Sequence, residues 1–131
     1  MPAKPDDPAD RRPLHIYVSG PYTPSLSDRQ AGREAEAIER NVVRANRVAL
    51  DLAKRGHYPF IPHTMMKGWE DVHRMSTEQI LDICLKWVER CDALFFIEES
   101  TGARSELDYA TKLGLRIFDD LDEVPDVAKR P

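Results

Sequence analysis

The stretch that decides the fold is Ala93-Leu-Phe-Phe-Ile-Glu-Glu-Ser-Thr-Gly-Ala-Arg-Ser-Glu-Leu-Asp-Tyr-Ala110. It opens with an apolar run of strand length over residues 93–98, which predicts a buried strand. A short loop with Ser100 and Gly102 follows, and Glu106 then falls in the first turns of a predicted helix. In a parallel α/β protein ligands bind at such a junction, because strand carboxyl ends and helix amino ends converge there.

The rest of the chain alternates strand patterns with helix patterns. Further strands are predicted at residues 14–19, 58–62 and 115–118, and helices at 33–55, 76–90 and 103–113. Strands separated by long helical patterns indicate right-handed crossovers and therefore a parallel sheet. We predict a three-layer flavodoxin-like or Rossmann-like α/β fold with helices on both faces of four to five strands, in the order 2-1-3-4(-5). In this order the loops at Gly20 and Gly102 line one crevice.

Local signals refine these elements. Two prolines in the second strand confine it to a sheet edge, since they cannot donate to a ladder. Gly56 supplies the left-handed residue that ends many helices. Ser76 and Gln79 have the spacing of a capping box. The residues from Met65 to Met75, which include Trp69 and His73, are predicted to form an irregular connection.

Length and composition indicate one domain. The chain has 131 residues, of which 41% are apolar, so we expect a single domain at 14–131 after a flexible lead-in at 1–13. The net charge is −4 from 19 basic and 23 acidic residues. The chain has no basic tract, so we expect no polymeric nucleic acid as a partner. No apolar run approaches the roughly 20 residues that cross a bilayer, so we expect a cytoplasmic protein with no membrane partner.

Several kinds of site are disfavoured. Cys84 and Cys91 lie seven residues apart in one helical pattern, and about 10 Å of helix rise keeps them from pairing, so both are expected as buried thiols. The four histidines lack metal-ligand spacing with the cysteines, and no metal site is expected. Neither G-x-G-x-x-G nor G-x-x-x-x-G-K-[ST] occurs, and we expect no cofactor.

Glu106 is the leading candidate for chemistry. It lies about 60° from the centre of the apolar stripe of its helix, whereas Asp108 points nearly opposite. A carboxylate in a first helical turn is stabilised as an anion by free amides and the helix dipole, as a nucleophile requires. The alternative is that glutamate is simply favoured in a first turn.

The loop before Glu106 offers hydroxyls, amides and one cation that could hold a phosphate. The alternatives are that Ser100 or Thr101 caps the helix and that Arg104 pairs with Asp108 one turn on.

Three blocks, in this order, resemble the nucleoside 2-deoxyribosyltransferase superfamily. They are Ile16-Tyr-Val-Ser-Gly20, Phe60-Ile-Pro-His63 and Ser100-x-Gly102-x-x-x-Glu106-Leu-x-Tyr-Ala110. That superfamily includes the 2′-deoxynucleoside 5′-phosphate N-hydrolases. The resemblance covers most of residues 14–118, and its last block is the most specific.

The resemblance implies roles for individual residues. Glu106 would attack the anomeric carbon of the sugar, and Tyr17 would orient it. Ser100 and Gly102 would contact the 5′ side of the substrate, and His63 would lie near the base or sugar. A 5′-phosphate would suit Ser19, Ser100 and Arg104 around the loop amides, and Gly20 is a further substrate-binding candidate.

The proton donor departs from the pattern of the superfamily. In relatives this acid is often an Asp three residues before the helix tryptophan, and the position three before Trp87 is Cys84. Asp82 is the nearest acid and is taken as the third catalytic candidate, although the helical wheel places it on the polar side. The alternatives are Glu98, Glu99 and His63.

The resemblance therefore implies an enzyme that cleaves the N-glycosidic bond of a (deoxy)nucleoside or nucleoside 5′-monophosphate, by hydrolysis or base transfer, through a glycosyl-Glu106 intermediate. It also implies a homo-oligomer, a dimer or larger, with a small-molecule nucleoside or nucleotide as partner. The alternative is a non-catalytic nucleotide-binding or sensing module.

Overall fold

The computed structural model describes residues 11–69 and 75–128. Residues 1–10 of the predicted lead-in, and His73 in the predicted connection, lie outside the described residues. Within the described part of the chain, no helix is long and apolar enough to cross a membrane.

The described chain forms four strands, five helices and a terminal 3-10 turn. In chain order these are β1 (His15–Ser19), α1 (Leu26–Gln30), α2 (Glu34–Lys54), β2 (Tyr58–Phe60), α3 (Pro62–Met65), α4 (Thr77–Val88), β3 (Ala93–Phe96), α5 (Thr101–Leu113), β4 (Arg116–Phe118) and the turn Leu121–Glu123.

The sheet has the order β2-β1-β3-β4, and all of its pairings are parallel. β1 is central, with Tyr17 opposite Phe60 of β2 and Leu94 of β3. The predicted α/β fold and strand order are confirmed, as is the edge position of β2.

Alternation along β1 divides the core into two layers. Ile16 and Val18 pack with apolar residues of α2 on one face of the sheet. Tyr17 packs with residues of α4 and α5 on the other face. Because side chains two apart in a strand share a face, Ser19 belongs to the side of Tyr17. The strand pattern therefore aims Tyr17 and Ser19 at α5.

Helix ends follow the local chemistry, with differences from prediction. The predicted capping box at Ser76 and Gln79 is present. The predicted strand 58–62 ends at Phe60, because Pro62 opens α3 at a position where its fixed φ suits a helix. α1 was not predicted; it is one short turn capped by Ser25, and it buries none of its residues.

Gly56 has a φ of 94° just after α2, as predicted. A side chain there would also meet the backbone of Val127 and Ala128 at 2.8–2.9 Å, so glycine is required by both conformation and space.

His57 ties the carboxy-terminal segment to the sheet. It is buried; its Nδ1 accepts from the Leu14 N–H at 3.0 Å, and its Nε2 donates to the Pro125 carbonyl at 2.7 Å. Val124 is buried in the α2-side core layer. The described part of the tail, whose sequence predicts little, therefore packs against α2 and the residue that precedes β2.

Candidate active site

A cavity of about 750 Å³ opens at the carboxyl ends of β1 and β3. This volume lies in the range typical of small-molecule sites. The predicted meeting of the Gly20 and Gly102 loops in one crevice is confirmed, because both glycines line the cavity. The other walls come from the 21–28 segment, from α2, from α4 and from the start of α5.

Glu106 lines this cavity although only 6% of its surface is exposed. The Tyr17 hydroxyl donates to its Oε2, and the Ser19 hydroxyl donates to its Oε1 at 2.8 Å. Two residues of β1 therefore fix both carboxylate oxygens. Tyr17 is stacked in turn on Phe60 of β2, with ring centroids 5.7 Å apart, so its hydroxyl is held by packing on the edge strand.

The prediction that Glu106 sits in a first helical turn is wrong. α5 begins at Thr101, two residues before the predicted start, because the Ser100 hydroxyl accepts from the Ala103 N–H at 3.1 Å and caps the helix. Glu106 therefore lies in the second turn, away from the free amides. Neither dipole stabilisation of its anion nor the first-turn alternative explains the residue.

Burial governs the protonation of this pair. Loss of solvation raises the pKa of Glu106 to about 7, while the hydroxyls of Tyr17 and Ser19 oppose that rise by donating to the carboxylate. Burial and then the nearby Glu106 carboxylate raise the pKa of Tyr17 well above its usual value. Near neutral pH, Glu106 can therefore be either protonated or ionised, while Tyr17 stays protonated and continues to donate.

Of the predicted substrate-binding residues that follow β3, Ser100 and Gly102 reach the cavity and Arg104 does not. Apart from its chain neighbours and the backbone of its own helix, nothing in the described residues lies within 4 Å of where a Gly102 side chain would begin. Arg104 is not among the lining residues. It makes a bidentate pair with Glu99 at 2.9 and 2.7 Å and approaches Asp108 at 3.6 Å. The expected pairing of Arg104 with Asp108 is present, but Glu99 is the closer partner.

His63 lies behind the loop after β1. It is 1% exposed and is not among the lining residues. Its Nε2 donates to the carbonyls of Gly20 and Pro21 at 3.1 and 3.2 Å. Burial lowers its pKa, which favours the neutral ring. In this position His63 supports the carbonyl groups of the cavity loop.

α4 turns Asp82 away from the cavity. Asp82 is exposed, as the helical wheel predicts, whereas α4 lines the cavity with Thr77, Ile80, Leu81 and Cys84. Burial raises the pKa of the Cys84 thiol to about 11, so the thiol is neutral at physiological pH. The structure does not bring Asp82 together with Glu106 and Tyr17.

Sequence reasoning missed the wall made by α2. Arg40, Asn41 and Arg44 line the cavity, and Asn41 donates to the Tyr22 carbonyl at 3.1 Å. The available signal was topological: α2 follows the loop after β1, so polar residues in its first half flank the strand ends. A helical wheel alone assigns them to a solvated face.

Comparisons with known proteins complete the description. A family model described as "Domain of unknown function (DUF7768)" matches residues 15–119. No curated protein matches the sequence. Among solved structures, the chain is similar to a "2-desoxiribosyltransferase from Leishmania mexicana", with 20% sequence identity and a TM-score of 0.48. The match covers 80% of this chain and 62% of that one, so it spans less than two thirds of that protein's length.

Proposed function

The chain belongs to the family described as Domain of unknown function (DUF7768), and from its site we propose that it is an N-glycosidic enzyme. Its substrate is a (deoxy)nucleoside or nucleoside 5′-monophosphate, and Glu106 is the nucleophile. The observation that carries the proposal is the buried Glu106 carboxylate, which faces a ligand-sized cavity and is fixed by Tyr17 and Ser19. A carboxylate that is buried at the cost of its solvation, and that faces a cavity, is typical of catalytic sites.

The residues that carry the resemblance to the nucleoside 2-deoxyribosyltransferase superfamily support the same proposal. Tyr17 and Ser19 from the first block donate hydrogen bonds to Glu106 from the last. Gly20, Ser100 and Glu106 line the cavity, so residues of the two blocks meet there. They are separated by about 80 residues along the chain. We propose on this basis that the domain is a divergent member of that superfamily.

The chemistry begins with ionised Glu106. One carboxylate oxygen attacks C1′ of the sugar, the C1′–N bond breaks, and its electron pair leaves with the base. Tyr17 and Ser19 hold the carboxylate in place and share its charge. Water, or a second base, then attacks C1′, the C1′–O bond to Glu106 breaks, and the proton lost by the attacking group passes to solvent. These alternatives are hydrolysis and base transfer, and added free acceptor base distinguishes them by exchange.

We propose that the leaving base takes its proton from solvent. Asp82 faces away, and His63 does not line the cavity. The Cys84 thiol, with a pKa of about 11, is a weak acid. Glu98 pairs with Arg44, and Arg104 lowers the pKa of Glu99. Removing a positioned acid commonly costs about 10²- to 10⁴-fold in rate. Turnover should accordingly be slow and favour substrates with good leaving bases.

The homo-oligomer implied by the resemblance is part of the proposal, as is a single domain over residues 14–131. Sedimentation velocity on the full chain tests the first. Limited proteolysis that trims the amino-terminal residues and leaves the remainder intact tests the second.

The test is a panel of nucleosides, deoxynucleosides and their 5′-monophosphates, assayed by chromatography for released base. The wild type is compared with Glu106→Gln and, as a matched control on the same helix, with Asp108→Asn. The proposal expects base release by the wild type and by Asp108→Asn, with a loss of at least about 10⁴-fold in Glu106→Gln.

A second candidate is a non-catalytic nucleotide-binding module, which the presence of Cys84 at the expected acid position favours. Saturable binding of a panel member without base release by the wild type would establish that candidate and contradict the enzyme.

A further inference from the structure

Two arginines mark one side of the cavity. Arg40 and Arg44 lie one turn apart on α2 and both line the cavity. Each is held by a carboxylate from a different wall. Arg40 Nη2 is 3.3 Å from Asp28 Oδ2, and Arg44 Nη1 is 3.2 Å from Glu98 Oε2. The mechanism above uses neither arginine.

These ion pairs can be exchanged for a ligand. The side chains of Arg40 and Arg44 are 61% and 47% exposed, and pairs in such positions contribute little to stability. A guanidinium has five N–H donors in a planar fork that matches two oxygens of a phosphate. A phosphate between the two arginines would therefore replace weak contacts to Asp28 and Glu98 with charge-assisted bonds.

The remaining walls have different chemistry. Met66, Ile80 and Leu81 present apolar surface on the side of the sheet covered by α4. α2 covers the opposite face, so its arginines lie across the end of the sheet from this apolar wall. A flat base against α4 and an anion against α2 would place the sugar between them, beside Glu106.

We propose that Arg40 and Arg44 bind the 5′-phosphate of the substrate and make the site selective for nucleoside 5′-monophosphates over nucleosides. The identity of the rest of the ligand rests on the proposed function. Backbone amides at the start of α5, where Thr101 and Gly102 line the cavity, reinforce the anion site. Arg104, which was expected in this role from the sequence, does not line the cavity and makes a bidentate pair with Glu99.

The lining carboxylates sharpen the proposal. Asp28 and Glu98 compete with the phosphate for the guanidinium groups, so neutralising Glu98 should tighten phosphate binding. A purely structural role for the Arg44–Glu98 pair predicts the same small change in binding for phosphorylated and unphosphorylated ligands.

The experiment is isothermal titration calorimetry with the four common 2′-deoxynucleoside 5′-monophosphates and their nucleosides. It is carried out in a Glu106→Gln background so that ligands stay intact. Added Arg40→Gln or Arg44→Gln should weaken monophosphate binding by about tenfold or more and nucleoside binding by less than about twofold. Glu98→Gln should strengthen monophosphate binding several-fold. Arg104→Gln is the matched control and should change either affinity by less than about twofold.

Equal loss for both ligand classes, or a phosphate-specific loss carried by Arg104→Gln instead, would overturn the arginine assignment. The two proposals fail separately. If the wild type releases no base but binds monophosphates selectively through these arginines, the binding inference stands and the proposed enzymatic activity is contradicted. If nucleosides and monophosphates release base equally and Arg44→Gln does not change this release, the proposed enzymatic activity stands and the arginine assignment is contradicted.

Discussion

His57 and Glu106 are both buried titratable side chains, with 3% and 6% of their surface exposed, yet their surroundings differ. Both ring nitrogens of His57 are bonded to backbone groups that join β1, the end of α2 and the carboxy-terminal segment. Glu106 is bonded to two side-chain hydroxyls and faces a cavity.

Of these two buried polar groups, His57 stabilises the folded state, whereas ionised Glu106 destabilises it. The His57 bonds satisfy backbone groups that would otherwise be buried unpaired. The Glu106 carboxyl has a pKa raised to about 7 by burial, so its ionised form destabilises the folded state. Substitution should therefore have opposite effects on stability at the two positions.

The largest expected stability change is at His57. His57→Ala removes the partners of the Leu14 N–H and the Pro125 carbonyl and leaves a void, which should cost about 3 to 4 kcal/mol of unfolding free energy. Urea denaturation at pH 7 measures this. The matched control is His15→Ala, because the His15 side chain is 64% exposed, and it should change stability by about 0.5 kcal/mol or less. Equal effects at the two histidines would contradict the structural role of His57.

Glu106→Gln should increase the free energy of unfolding, and the increase should depend on pH. Because the folded pKa, about 7, lies above the usual 4.5, this group's contribution to stability is complete below about pH 4.5 and is lost as the pH rises through 7. The Gln variant should be more stable than the wild type by about 2 to 3 kcal/mol at pH 8 and of equal stability at pH 4. Thermal unfolding across this range tests it, and a variant less stable at pH 8 would refute it.

Tyr17→Phe tests how far the Tyr17 hydroxyl controls the pKa of Glu106. The Tyr17 hydroxyl lowers the pKa of Glu106 by donating to it, so its removal should raise that pKa further. The acid limb of kcat/KM, which reports the free enzyme, should move up by about one pH unit. Activity at pH 6 should fall about tenfold. An unmoved pH profile with reduced activity would assign Tyr17 a packing role only.

The smallest effect is expected at Asp82. It is exposed and outside the cavity lining, so Asp82→Asn should change kcat/KM by less than about twofold. A loss of 100-fold or more in the base-release assay would show that α4 presents Asp82 to the substrate.

Much of the fold could be predicted because its signals are local. The alternation of β1 and the period of α5 put Tyr17 and Glu106 on facing surfaces, and crossovers between parallel strands brought them to one edge of the sheet. The same helical period predicted that Glu106, unlike Asp108, faces the crevice.

The rest depended on tertiary placement. The position at which α5 begins depends on whether Ser100 caps the helix. With Ser100 as the cap, Glu106 lies in the second turn rather than the first. The raised pKa of Glu106 is a product of burial, which no spacing reveals. Arg40 and Arg44 carry no motif, and they reach the cavity because α2 packs beside the loop after β1.

The most direct test of the central claim is covalent trapping on Glu106. A 2′-deoxy-2′-fluoroarabinonucleoside 5′-monophosphate slows both steps by destabilising positive charge at C1′, so an ester intermediate should accumulate. Peptide mass spectrometry after acid quench should find the glycosyl adduct on Glu106 in the wild type and in Asp108→Asn, and none in Glu106→Gln. An adduct on another residue, or undiminished base release by Glu106→Gln, would contradict the assignment of Glu106 as nucleophile.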